Sequence, residues 1–133
     1  MSNTWKRLYL VALCAVVLSG CSLIARPGDS FVTARDDFAE RLRWGDYQGA
    51  GRYLEEEVRI AFVERFSDME DLRFVQVDPV SAEMTDENRG AVSWTMLEYY
   101  RLPSVVVQKY RLRQEWAFRD GAWRIVSPFP ELP

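Results

Sequence analysis

Among the acids and phenols in the second half of the chain, Asp78, Glu98, Tyr99, Tyr100 and Tyr110 are the candidates for moving a proton. The 133 residues contain no His, so His-dependent triads and imidazole metal sites are excluded, and acid–base work falls to carboxylates and phenols. Glu98 continues the parity of Val92, Trp94 and Met96, and strict alternation aims it at the core. Buried there, its pKa would rise and it could serve as a general acid or base. A bulge near Leu97 would put it in water instead, which is the plainer reading. Asp78 precedes Pro79, a position where a carboxylate ordinarily forms a turn. A catalytic reading therefore rests on Glu98 or Asp78 with a tyrosine, Tyr110 foremost. A binding reading rests on the face carrying Gln108, Tyr110 and Gln114, with Trp94 and Trp116 behind them as an apolar floor. A strand that bends out of the core at both ends would explain the same polar groups without a ligand.

Other chemistries find little support. The glycines at 45, 49 and 51 lack the Lys-Ser/Thr of a phosphate loop, and no G-x-S-x-G nucleophile motif occurs. Glu55-Glu56-Glu57 points three ways around a helix and makes no metal site, so neither a metal nor a cofactor is expected. Lys109, Arg111, Arg113 and Arg119 form a basic stripe on one strand face, long enough to meet anionic head groups or an acidic partner. Most such stripes are solvated faces paired with neighbouring acids. With 17 Lys and Arg against 20 Asp and Glu, the net charge of −3 argues against general nucleic-acid binding.

The N-terminus carries an address. Lys6 and Arg7 precede an unbroken apolar run over residues 8–18, too short to span a bilayer and of the length of a signal h-region. The run ends in Leu18-Ser19-Gly20-Cys21, which resembles the lipobox of bacterial lipoproteins. That resemblance implies a signal peptide over 1–20 and diacylglycerol on the Cys21 thiol. It also implies an acylated N-terminus (the palmitate-type modification) and stable attachment to a membrane. Cys14 leaves with the leader, so no disulfide is expected. Ser22 follows the lipid position where Asp would mark inner-membrane retention, which favours the periplasmic face of the outer membrane. Residues 21–32 read as a tether broken by Pro27-Gly28, and 33–133 as one folded domain.

Within that domain the period of the apolar residues changes once. Thr33 starts a helix bearing Ala34, Phe38 and Leu42, Asp46 caps a second one, and residues 56–66 form a third with Val58, Ala61, Phe62 and Phe66 inward. After Asp71 the period becomes two. The predicted strands are 72–84, broken at Asp78-Pro79, then one opening at Gly90, one over 105–119, and 122–126 after an Asp120-Gly121 hairpin turn. Phe38, Leu42, Phe62, Trp94, Leu112, Trp116 and Trp123 are expected in one core.

Helices followed by a meander of strands predict an α+β fold with N-terminal helices packed on a curved antiparallel sheet. Trp44-Gly45-Asp46-Tyr47, Gly90-Ala91-Val92 and the terminal hairpin, with Trp116, Asp120-Gly121, Trp123 and Ile125, resemble the NTF2-like (cystatin-like α+β cone) superfamily over residues 33–127. The resemblance implies a cone that hosts isomerases, dehydratases and many binding modules, so it fixes no activity. The reading adopted is a non-catalytic envelope lipoprotein whose domain binds a partner protein, a lipid or a small apolar ligand. The alternative is an enzyme of isomerase or dehydratase type.

Overall fold

The computed structural model describes residues 27–133. Three helices, α1 (Pro27–Arg43), α2 (Tyr47–Gly51) and α3 (Glu56–Ser67), precede four strands. These are β1 (Leu72–Thr85), β2 (Gly90–Arg101), β3 (Gln108–Arg119) and β4 (Ala122–Ile125), and they form one antiparallel sheet in the order β1-β2-β3-β4.

Helix α1 starts six residues before the expected Thr33. Pro27 opens the helix instead of breaking it, because proline at the first helical position lacks only an N–H that would be unpaired anyway. The extra turns bring Phe31 into the core, edge-on to Trp116 at 5.5 Å and to Trp123 at 5.1 Å between ring centroids. Residues 27–32 thus belong to the fold, while Cys21 and the rest of the proposed leader and tether lie outside the described residues.

Asp46 caps α2 by accepting the Gly49 amide at 2.9 Å, as the sequence suggested. Along α3, Phe62 and Phe66 are buried and Val58 half-buried, but Ala61 is exposed. Between α2 and α3 the chain touches the sheet: the Ile125 amide donates to the Tyr53 carbonyl and the Glu55 amide to Ile125. This contact covers the free edge of β4, which would otherwise present unpaired backbone.

Pro79 sits on the edge strand β1 beside a register shift, where a missing donor costs least. Asp120 (φ 53°) and Gly121 (φ 75°) make the tight β3–β4 turn, two left-handed residues whose twist matches that of the strands. β3 begins at Gln108 rather than 105, leaving Val105, Val106 and Val107 exposed.

The facing of β2 is the reverse of the expectation. Ala91, Ser93, Thr95, Leu97 and Tyr99 are buried, whereas Val92, Trp94, Met96, Glu98 and Tyr100 are only half-buried on the opposite face. Large residues were expected inside, but the interior next to β2 is already filled. Trp116 pairs with Ala91, and its indole N–H donates to Ser93 Oγ at 2.9 Å. Small residues on β2 make room for large rings on β3 and α1, as close packing demands. Six of the seven expected core residues are buried, and Trp94 is not.

The segment after β4 does more than end the sheet. Phe129 packs on Phe62 and Phe66 at 5.5 and 5.1 Å, and Arg65 donates to the carbonyls of Phe129 (2.9 Å) and Pro130 (3.1 Å). Tyr99, wholly buried, donates to the Pro133 carbonyl at 2.9 Å.

Candidate functional site: a basic aromatic cleft

The residues singled out from the sequence do not converge. Gln114 and Trp116 are buried on the inner face of β3, Tyr110 is half-buried near its start, and Gln108 is exposed. Trp94 faces the other side of the sheet, with the Arg111 guanidinium 5.9 Å from its ring centroid, so it is no floor beneath Tyr110. Glu98 also lies on that outer face, bound to Lys109 Nζ at 2.8 Å, and this contact pushes the lysine pKa up. Asp78 is exposed on the same face and accepts from the Gln76 side chain. Tyr110 pairs with buried Leu97 and so points inward, away from both acids. The acid–base set of Glu98, Asp78 and Tyr110 is therefore split between two faces. Burial raises the Tyr99 pKa, and its hydroxyl is already engaged by Pro133.

A different group of side chains surrounds an open cleft of about 550 Å³ where α1 ends and β1 begins. Gly45, at φ 72°, turns the chain sharply after α1. The turn leaves Trp44 at the rim, 74% exposed, with the Arg43 guanidinium 5.7 Å from its ring centroid. Tyr47 stacks on Phe66 at 4.9 Å and 21°, and Phe74 lies 6.3 Å from Phe66, so the floor is aromatic. Burial raises the Tyr47 pKa, and the positive charge of Arg73 partly opposes the shift. Arg73 donates to the carbonyls of Glu70 (2.7 Å) and Leu72 (2.8 Å). Among the described residues neither Arg43 nor Arg73 is bound by a carboxylate, although Glu70 also lines the cleft. A second cleft of about 450 Å³ lies on the other side of Arg43 and Trp44, toward Val77 and Pro79.

A polar cluster next to the cleft fixes the helix junction that forms its rim. Tyr53 donates its hydroxyl to Asp37, and Arg41 binds both Asp37 (2.7 Å) and Asp46 (2.8 Å). The Tyr53 hydroxyl first, and then Arg41, hold the Asp37 carboxyl below the usual carboxylate range. The Gly49 amide and then Arg41 do the same for Asp46. Burial, reinforced by the Asp37 hydrogen bond, pushes the Tyr53 phenol up. Each member of this cluster is satisfied by another, and its effect is to lock α1 against α2.

In the sequence, Trp44-Gly45-Asp46-Tyr47 served only as a fold marker. The signal for a site was present: a Trp beside Arg43, off the apolar stripe of α1, just ahead of a glycine turn.

No family model matches the chain, and no curated protein matches its sequence. Solved structures do. A candidate Ca/calmodulin-dependent kinase II association domain from Exiguobacterium sibiricum aligns with TM-score 0.59 and 10% identity, over 78% of this chain and 92% of that one. A candidate polyketide cyclase from Xanthomonas campestris pv. campestris aligns with TM-score 0.56 and 20% identity, over 79% and 93%. An NTF2 variant designated Rd1NTF2_05 aligns with TM-score 0.50 and 10% identity, over 75% and 95%. The helices on an open four-stranded antiparallel sheet are thus the NTF2-like α+β cone. At these identities the likeness concerns the fold.

Proposed function

We propose that the protein is a non-catalytic binding module of the cell envelope, and that its cleft takes a small amphipathic anion. The apolar part of the ligand lies on Trp44, Tyr47, Phe66 and Phe74, and its acidic group meets Arg43 and Arg73. The observation that carries this reading is the pair of carboxylate-free guanidinium groups beside an exposed indole. Exposed arginines in a cleft of ligand size bind an anion without first breaking an ion pair. The catalytic alternative has less to stand on, since the cleft holds one carboxylate, Glu70, and no acid paired with a base.

The probe is 8-anilinonaphthalene-1-sulfonate, an aromatic anion, with the uncharged N-phenyl-1-naphthylamine as its neutral counterpart. Arg43→Glu/Arg73→Glu should bind the sulfonate at least about tenfold more weakly and the neutral probe equally well. Equal sulfonate affinity for both proteins would overturn the site.

The membrane address rests on Cys21 and its preceding apolar run. No helix among the described residues is long and apolar enough to cross a membrane. Mass spectrometry of the mature N-terminal peptide should find Cys21 acylated. Unacylated wild-type protein free in the periplasm would contradict the anchor.

A further inference from the structure

Two opposite charges in the cleft stand close together without meeting. Glu70 lies on the turn before β1, Arg73 is the second residue of β1, and both line the cleft. The Arg73 guanidinium reaches the main-chain carbonyl of Glu70, yet no ion pair joins it to the Glu70 carboxylate. Among the described residues that carboxylate meets no cation at all. An acid and a base are thus both open to one ligand.

The way Arg73 is held narrows what its anionic partner can be. Nη1 donates twice, to the carbonyls of Glu70 at 2.7 Å and Leu72 at 2.8 Å, and has no further hydrogen to give. Among the described residues nothing takes up Nε or Nη2. Their N–H bonds lie parallel along one edge of the planar group, a fork that fits the two oxygens of one carboxylate. The two carbonyls fix that edge before a ligand arrives, which lowers the cost of ordering it. Tyr47 adds a hydroxyl with no partner among the described residues, on a half-buried ring stacked on Phe66 and near enough to Arg73 to feel its charge.

We propose that the anion held by the cleft, the reading on which this assignment rests, is a free α-amino acid with an aromatic side chain. Its carboxylate lies on the open edge of Arg73 beside the Tyr47 hydroxyl, and its ammonium donates to Glu70. Its ring lies on the floor of Phe66 and Phe74, under the exposed indole of Trp44. A phosphate or sulfate group would bring more negative charge toward Glu70 and leave that acid unanswered. A molecule with a carboxylate and an ammonium on the same carbon answers both charges at once.

Displacement of bound 8-anilinonaphthalene-1-sulfonate, followed by its fluorescence, compares three ligands of one carbon skeleton. L-Phenylalanine should displace it. 3-Phenylpropanoate, which lacks the ammonium, and 2-phenylethylamine, which lacks the carboxylate, should each bind roughly tenfold or more weakly than phenylalanine. Glu70→Gln should weaken phenylalanine by about tenfold, while 3-phenylpropanoate and the sulfonate bind at least as well as before, because only a negative charge has gone. Undiminished binding of those two anions also shows that the cleft of the variant is intact. Phenylalanine that leaves the sulfonate in place, either analogue binding as well as phenylalanine, or Glu70→Gln acting on all probes alike each overturns the amino acid and leaves the cleft a plain anion site. Sulfonate binding indifferent to Arg43→Glu/Arg73→Glu overturns the cleft as well.

Discussion

Trp116→Ala should destabilise the protein by about 3 to 5 kcal/mol, measured as a drop in urea midpoint at unchanged slope. The side chain is 2% exposed, stands edge-on to Phe31 and Phe38 at 5.5 and 6.1 Å, and donates to Ser93. Removal leaves a large cavity between α1 and the sheet and strands the Ser93 hydroxyl without its indole donor, two costs that add. Trp94 supplies the control. It is the same residue type on the facing strand, but it is half-buried on the outer face, so Trp94→Ala should cost less than half as much in the isolated chain. Equal losses for the two tryptophans would mean that the facing of β2 is wrong.

Phe129→Ala should cost about 3 kcal/mol, a large effect for a residue outside every strand and helix. Its ring is 6% exposed between Phe62 and Phe66, and its carbonyl accepts from Arg65. The same substitution should loosen residues 129–133, since only the Arg65 bonds to the main chain at 129 and 130 and the Tyr99 bond to Pro133 then hold the tail. Native-state carboxypeptidase digestion, read by mass, should trim the variant well before global unfolding and leave the wild type intact. A variant as stable and as resistant as the wild type would show that the tail is not part of the core.

The helices could be read in advance because their apolar residues recur at helical spacing and Asp46 has the short acceptor side chain that a cap needs. The β3–β4 hairpin was legible for a similar reason: Asp120-Gly121 is a local turn signal, independent of the rest of the chain. β2 was not legible, because both of its faces alternate equally well and side-chain volume was the wrong guide. Which face goes inward is decided by Trp116, Phe31 and Phe38, residues distant in sequence. Local rules likewise gave no access to Pro27, whose turn-breaking character was overruled by the packing of Phe31. The candidate cleft was hidden for the same reason as β2: Trp44, Phe66 and Arg73 come together only when α1, α3 and β1 meet.

The way the last residues close the molecule bears on the order in which it can fold. Trp123 reaches back 93 residues to Ser30, Arg65 forward 64 residues to Phe129, and Ile125 bridges to Leu54. A chain still emerging from a ribosome or a translocation pore therefore has helices without the strand and tail that seal them. Phe62 and Phe66 can meet Phe38, Tyr47 and Phe74 earlier, but the side that Phe129 covers stays open until residue 129 has been delivered. Contacts this far apart in sequence make closure slow and late, and the open aromatic surface in the interval is what a holding chaperone binds. Threading the chain unfolded through a membrane would suit such a molecule, because little of its core can form before the whole domain has crossed.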